Sequence, residues 1–504
     1  MRLEEIALIV APEADNVALV KVPAPAGTRL ETPEGELVLP EEVLPGERIA
    51  LCDLPGGSYL YQYGFPFATS CGIARGQAVH GGNTRAEIPP CSAAAGTASV
   101  TLPPLTGKSF QGYRRADGRY GTRNYYIVIP TSMCASQVAV QIAEPFRSAP
   151  QGIDAVLALP HTEGCGCAAG LQIDRLLHVL KEMIAHPNVG GALVVDLGCE
   201  QSNAAVLKGV IPSGCAGKPV EWLTIQQLGT PATIAQGRAL IEERLPEVAS
   251  ARRTPCPLER LVLAGECGAS DAFSGVTANR VIGGAVDRVI AAGGSAIISE
   301  FPEMVGAEQV LFPRMQRPEL VDKFQRLMGW YREVASRLGT VLDHNLVPEN
   351  KAGGLINPYI KSLGAVVKGG SGPITGVLDY GERCDKPGLH LMQGPGNDPE
   401  SVTGLAASGA NLILFSTGRG TGTGCALVPV IKISSQSALA RRMPDDIDFD
   451  AGSILSAEDP TSERELLADR LLDQLIAVAS GQPTKAEHNG QHQFQIWSAG
   501  KLSL

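Results

Sequence analysis

IVIPTSMCAS (127–136), VLALPHTEGCGC (156–167), LVVDLGCEQS (193–202) and LVLAGECGASD (261–271) share one form. Each is an unbroken apolar run followed by a Gly- or Ser-bearing loop that carries a cysteine. A run with no polar alternation predicts a strand buried on both faces, as in a parallel sheet. Open parallel sheets bind ligands beyond the carboxyl ends of their strands. Cys134, Cys165, Cys199 and Cys267 are therefore expected at one edge, facing one cavity, with at least two sulfurs within ligand reach of a common point. A single cysteine in such a place is as readily an ordinary buried thiol. Four at equivalent places favour metal or substrate contact. Thiolates suit iron, zinc and iron–sulfur clusters, and the absence of a CxxC…CxxC pair excludes a zinc ribbon. Cys52, Cys71, Cys91, Cys215 and Cys256 lack this context and read as structural.

Working outward, the runs YYIVI (125–129), AVLAL (155–159), ALVVD (192–196), SAIIS (295–299) and NLILF (411–415) alternate with helix-like stretches. Leu320, Phe324, Leu327, Tyr331, Val334 and Leu338 form one helical stripe. Ser462 and Glu465 read as a capping box before a Leu-rich helix that stops near Gly481 and Pro483. Strands alternating with helices define an α/β body with mostly parallel sheets. Residues 1–85 show short β-rich pieces broken by Pro and Gly, which predicts a small β module. Residues 86–110 are rich in Pro, Ala, Ser and Thr without an apolar period and read as a linker. A softer boundary at SARRTPC divides the body into α/β domains at 111–255 and 256–504.

The chain has 504 residues and a net charge of −10, with no Lys/Arg cluster. That excludes a generic nucleic-acid partner. No apolar stretch reaches the length of a spanning helix, and the short run at Ile6–Ala11 is too brief for a secretory segment. A cytoplasmic protein without a membrane partner is expected, its twelve cysteines reduced.

A second constellation is basic and Gly-rich. DGRYGTRN (117–124) places Arg119, Arg123 and Asn124 in a turn before a strand, and NLILFSTGRGTGTG (411–424) places Arg419 in a loop after one. Arg offers a planar fork to a carboxylate. KSLGAVVKGGSG (361–372) adds Lys361 and Lys368, though lysines are most often solvated surface charges. His161, in HTEGCG, is either a ligand or general base beside Cys165, or a loop histidine held by backbone groups. These segments together describe a positively charged polar pocket with a soft-metal corner, suited to a small hydroxy acid.

The motifs DGRYGTRN, HTEGCG, LGCEQ, ECGASDAFSGVTAN (266–279), EFPEMVGAE (300–308), KSLGAVVKGG and FSTGRGTG (415–422) resemble, in order and spacing, the altronate/galactarate dehydratase family over about 111–455. The N-terminal module resembles that family's SAF-type β-clip domain through NVA (16–18), YGFPFA (63–68) and AVHGGN (78–83), with His80 and Asn83 matching a VHxHN-like segment. The sequence departs from the pattern in four places. Gly46-Glu47-Arg48 stands for a GHK-like motif, Glu266 for Gln, Ala269 for Gly, and 344–355 lacks a Pro and a Gly. The resemblance implies an iron-stimulated β-elimination from a 2,3-dihydroxy sugar acid (an aldonate or aldarate), giving a 2-keto-3-deoxy acid. Fe(2+) is the cofactor it implies, with an iron–sulfur cluster as the alternative state of the iron. His80, His161 and Lys361 are then the candidate acid–base groups. Asn83, Arg119, Arg123, Asn124, Lys368 and Arg419 would hold the anionic substrate, and assembly as a homo-oligomer is expected. The family also includes sulfolactate sulfo-lyases, so a carbon–sulfur lyase is the alternative activity; a non-catalytic sugar-acid binder is the alternative from another class. An electron-transfer ferredoxin is disfavoured by the absence of CxxCxxC runs.

Overall fold

The computed structural model describes the chain except residues 93, 99, 147–151, 168–169, 212–216, 343–344 and 499–504. Cys215, and position 344 of the segment 344–355, lie outside the described residues. The N-terminal module is β-rich, as its composition predicts. Ala7–Leu8, Val17–Val20, Arg48–Ala50 and Ala78–Val79 form one antiparallel sheet, and Tyr59–Gln62, Phe65–Ser70 and Thr84–Arg85 another. The Pro- and Gly-rich breaks prove to be a repeated unit. A bridging residue, a tight turn with a left-handed glycine (Gly27, Gly46, Gly57, Gly76) and a short strand recur four times. The bridging residues pair two by two, Ala24 with Val43 and Leu54 with Ile73. Leu30, Leu37, Leu39, Val43 and Ile49 close its core.

This module is seated on the C-terminal domain. The fully buried Arg48 donates to Gln62 Oε1 (2.6 Å) and to the carbonyl of Gly354 (2.6 Å). Asn357 donates to the Phe67 carbonyl at 2.9 Å, and Leu19 packs on Ala272, Phe273 and Val276. Among its described residues the linker has no strand or helix between Arg85 and Ser109, yet it follows the C-terminal domain, with Ala98 N–H on Pro313 O and Leu105 N–H on Ala291 O. Ser109–Arg114 then pairs antiparallel with Arg253–Pro257, so the predicted soft boundary is a strand that ties the two body domains together.

Each body domain is built on a wholly parallel sheet. The first orders its strands Ala155–Ala158, Tyr125–Pro130, Val189–Asp196, Val220–Thr224. The second has seven: Ile374–Leu378, Gly388–Met392, Ser295–Ile298, Val262–Gly268, Leu412–Thr417, Val430–Ser434 and Phe449–Asp450. Every residue of Val189–Asp196 and of Leu412–Thr417 is buried, which accounts for their unbroken apolar character. In the seven-stranded sheet the chain builds to one side from Val262–Gly268 and to the other from Leu412–Thr417. The crevice beyond these two adjacent strands is a topological switch point, where doubly wound sheets bind ligands.

Two helix expectations meet different outcomes. The stripe of Pro318–Arg337 is buried through Leu320, Phe324, Leu327 and Tyr331, but Leu338, at the C-cap, is exposed. Pro460–Ala479 is capped by Asp459, whose carboxylate accepts from Thr461 and Ser462 N–H, and not by Ser462 with Glu465. The closed capping box lies further on, at Thr484 and Glu487.

Candidate active site at two sheet edges

The four cysteines do not follow strands of one sheet. Cys134, Cys165 and Cys199 follow three adjacent strands of the four-stranded sheet, whereas Cys267 ends a strand of the seven-stranded one. Apolar runs reveal strands but not which sheet a strand joins, and the expected single edge is two.

At the second edge Cys267 belongs to a buried charged cluster. Lys368 Nζ donates to Cys267 Sγ (2.7 Å) and to Glu300 Oε2 (3.1 Å). The Cys267 thiol donates to Glu303 Oε2 at 2.9 Å, and Lys361 Nζ pairs with Glu303 Oε1 at 3.0 Å. Glu266 is held by Ser401 Oγ (2.8 Å), which also bonds Ser299. The electrostatics follow from this arrangement. Burial would raise Glu303, but Lys361 and Lys368 pull it below the usual carboxylate range. Burial and then repulsion from Glu303 push Glu300 up to about 7, against the pull of Lys368. Burial and Glu303 likewise push Asp398 up to about 6. Burial holds Glu266 and the Cys267 thiol well above their ordinary values, so the thiol keeps its proton at neutral pH. Lys361 and Lys368 stay charged despite burial, because carboxylates surround them. Glu266 Oε1 has no hydrogen-bond partner among the described residues.

Three non-glycine residues have left-handed backbone: Tyr63 (φ 62°), Ala269 (φ 53°) and Glu300 (φ 70°). Each costs about 1–2 kcal/mol and persists only where surrounding structure enforces it. Glu300 and Ala269 follow adjacent strands of this edge, and the Tyr63 ring presses on Gly275 and Gly364 beside it.

Above the switch point lies a cavity of about 330 Å³, lined by Asp271, Phe273, Gly418, Arg419, Gln436 and Arg442, among others. Arg419 is exposed here, on the cavity wall. The buried Asp271 accepts from Phe273 and Ser274 N–H and from Ser435 Oγ, and Arg419 and Arg442 bring positive charge to the same cavity. A Cβ on Gly418 would lie 2.5 Å from the Asp271 carboxyl carbon, so the loop comes this close only with glycine there.

Several expected site residues have other work. Arg123, expected at the substrate, is 2% exposed and pairs with both carboxylate oxygens of Glu487 (2.6 and 2.8 Å) and with the carbonyls of Val478 and Gln482. It clamps the end of the C-terminal helix. Asn124 is fully buried and donates to Gly152 and Val248 carbonyls. Arg119 pairs with Asp117 and the Ala185 carbonyl. A Gly-punctuated turn before a strand lies at the amino edge, opposite the ligand-binding end, and this displaces all three from the site. Asn83 closes the turn of its own module, on Ala78 O and His80 N–H. His80 is exposed, its Nδ1 accepting from Gly82 N–H, and no described contact joins it to either edge. His161 is the loop histidine held by backbone: Nε2 meets Pro130 O at 2.9 Å and Nδ1 accepts from Glu163 N–H, while burial lowers its pKa and keeps it neutral. Lys361, Lys368 and Cys267 do come together. Glu300, Glu303 and Asp398 were missed, although EFPEMV follows the run SAIIS just as the cysteine loops follow theirs.

Among the described residues, two donor sets lie within 4.8 Å of one another: Cys267–Glu300–Glu303 and Glu266–Glu300–Asp398. Lys368 already neutralises the first. The second is all oxygen, suited to a hard divalent ion. The thiols of the first edge are the soft donors.

An α/β protein with acid–base groups and an arginine-lined cavity at a switch point, under a docked β module, defines an enzyme of small anionic substrates. Three family models match in succession. They are the altronate/galactarate dehydratase SAF domain over 6–87, the second domain of D-galactarate dehydratase/altronate hydrolase over 112–249, and the C-terminal domain of D-galactarate/altronate dehydratase over 258–502. The chain is 32% identical to altronate dehydratase of Escherichia coli, covering 96% of this chain and 98% of that one, and 33% identical to galactarate dehydratase (L-threo-forming) of the same organism, covering 93% and 92%. It is also 32% identical to the (2R)-sulfolactate sulfo-lyase subunit beta of Chromohalobacter salexigens, over 78% of this chain and 98% of that subunit. The chain belongs to the altronate/galactarate dehydratase family and is a hydro-lyase of that family. No described helix is long and apolar enough to cross a membrane.

Proposed function

We propose that this enzyme removes water from a sugar acid, an aldonate or aldarate, in a metal-dependent β-elimination that yields a 2-keto-3-deoxy acid. The observation that carries the chemistry is Glu300, a carboxyl with a pKa of about 7 placed 3.1 Å from Lys368 at the ligand-binding edge. A group poised near the working pH is suited to take the weakly acidic proton beside a carboxylate. Lys368 and Lys361, held charged, steady the negative charge that develops, and either can return a proton to the departing hydroxyl. Arg419 holds the substrate carboxylate in the cavity. A bound iron would supply Lewis acidity toward the substrate oxygens. Its fitting donors are soft thiols, since Lys368 occupies the place at Cys267.

Purified protein with Fe(II) should release a 2-keto acid from altronate, galactarate or a related acid in a panel. The likeness to the sulfo-lyase subunit favours one other reading, and sulfite release from (2R)-sulfolactate without keto-acid release from any sugar acid would replace the first with it. Silence on every substrate would leave a sugar-acid binder.

A further inference from the structure

A second cavity, of about 660 Å³, shares no lining residue with the cavity of Arg419. It opens where the N-terminal module, the linker and the C-terminal domain meet. Phe65 comes from the module, Val100 from the linker, and Val310, Leu363 and Val366 from the C-terminal domain. Most of the wall is apolar. Its size is that of a small-molecule site. The same wall is the back of the acid–base cluster. The helix Pro358–Val366 turns Lys361 toward Glu303, and Leu363 and Val366 toward the cavity. Val367 lines the cavity one residue before Lys368.

Three arginines line this apolar space, and two of them are matched. Arg314 donates to the carbonyls of Gly369 and Gly372 and lies beside Asp287. Arg464 pairs with Glu465 at 3.2 Å. Arg280 has neither a hydrogen bond nor an ion pair among the described residues. Its contact is the face of Tyr63, whose ring centre lies 5.7 Å from the guanidinium carbon. The carboxylate that acts on it, Asp15, is spent on the N–H groups of Ala11, Tyr63 and Gly64. Arg280 also stands in the first turn of the helix Ala278–Ala291, where the positive end of the helix dipole opposes a cation. It is partly buried, and burial lowers its pKa. A cation withdrawn from water without a counter-ion is costly, and an anion seated beside it removes that cost.

We infer that this cavity is a second ligand site, which takes a monocarboxylate with an apolar body: the carboxylate on the fork of Arg280, the body against Phe65, Val310, Leu363 and Val366. One unmatched cation calls for one negative charge. The apolar wall offers few partners to hydroxyl groups, so the ligand differs in class from a sugar acid. Occupancy bears on the outer face of the helix that carries Lys361, which couples this site to the acid–base cluster.

The test is calorimetric titration of the full chain with hexanoate, read without turnover and so independent of the dehydratase reading. Hexanoate should bind saturably at a single site per chain. Hexanol, which lacks the charge, and gluconate, which lacks the apolar body, should each bind about tenfold more weakly or worse. Arg280→Ala should weaken hexanoate by about tenfold or more, while its thermal unfolding without ligand stays at or above that of the wild type, since no hydrogen bond or ion pair is lost. Val310→Trp, which fills the cavity and leaves Arg280 in place, should lose hexanoate as well. In the wild type, hexanoate should slow amide exchange in 363–369. No saturable heat at millimolar hexanoate would overturn the site. Equal binding of hexanol would overturn the role of Arg280, and equal binding of gluconate the apolar class. Undiminished binding by both variants would place hexanoate elsewhere on the chain and overturn the assignment. Unchanged exchange in 363–369 would overturn the coupling.

Discussion

Replacing Glu300 by Gln separates the two things its position does. The folded protein raises its pKa from 4.5 to about 7 by burial and by the neighbouring Glu303. Between those values the folded state binds more protons at this site than the unfolded chain. Stability therefore falls as pH rises through that window and levels off above it. A displacement of this size corresponds to about 3 kcal/mol, as an upper bound, borne by the wild type above pH 7. Gln carries no such titration. The stability of Glu300→Gln relative to wild type should rise with pH by up to ~3 kcal/mol from pH 4.5 to above 7, and the difference between the curves cancels titrations that both proteins share. Urea unfolding at a series of pH values measures it. The same substitution removes the base, so turnover should fall by about 10²- to 10⁴-fold at every pH, and the rising limb of the wild-type pH–rate profile near 7 should vanish. Parallel stability curves together with near-wild-type turnover would refute both the burial argument and the role of Glu300.

Arg123→Ala should cost roughly 3–5 kcal/mol by leaving Glu487 and two carbonyls unpaired, with faster amide exchange in 478–488 and an unchanged KM; a raised KM with an unchanged melting temperature would restore Arg123 to the substrate. Arg123 holds Glu487 below its usual range despite burial, so this stabilisation is present above the unfolded value of 4.5 and is lost as pH falls through the folded one, and the variant should converge on wild type in acid. Arg419→Ala should weaken substrate use by several tens-fold or more, from a loss of about 2–5 kcal/mol, without a shift in thermal unfolding. Ala269→Gly removes a left-handed strain of about 1–2 kcal/mol against a backbone entropy cost of about 0.4–1 kcal/mol, so denaturant melts should show a gain of up to ~1 kcal/mol; a clear loss would mean that the alanine methyl is packed rather than strained.

The strands of the body were legible because burial on both faces erases alternation, and few other elements produce runs such as VLAL or LVVD. The N-terminal module was legible as β-rich, but its fourfold turn was not, since the repeat is carried by glycine conformation and pairing geometry more than by shared letters. The cap of the last long helix was misplaced because Asp459, Ser462 and Glu465 all satisfy a capping pattern, and only the path of the chain into the helix decides which carboxylate or hydroxyl meets the free N–H groups.

Site residues followed a sharper rule. Those after a strand's carboxyl end, Cys134, Cys165, Cys199, Cys267 and Arg419, lie at ligand-binding edges, whereas those before a strand, Arg119, Arg123 and Asn124, became amino-edge struts. Arginine in a glycine-punctuated turn looks the same in both settings; the direction of the chain relative to the strand tells them apart, and that is written in the order of the letters. What order cannot supply is which sheet a strand enters. Local pattern made four cysteine loops equivalent, but the non-local pairing of Val262–Gly268 with Leu412–Thr417 carried one of them into a different sheet. There Lys368 and two carboxylates, drawn from segments 33 to 101 residues away, turned a candidate ligand into a proton-bearing thiol. The division has a chemical logic. Thiolates that bind soft iron are served by solvent access and by neighbours that leave their charge to the metal. A base poised near neutrality needs burial and a counter-ion. The two sheet edges carry these two kinds of group, each in the surroundings it needs.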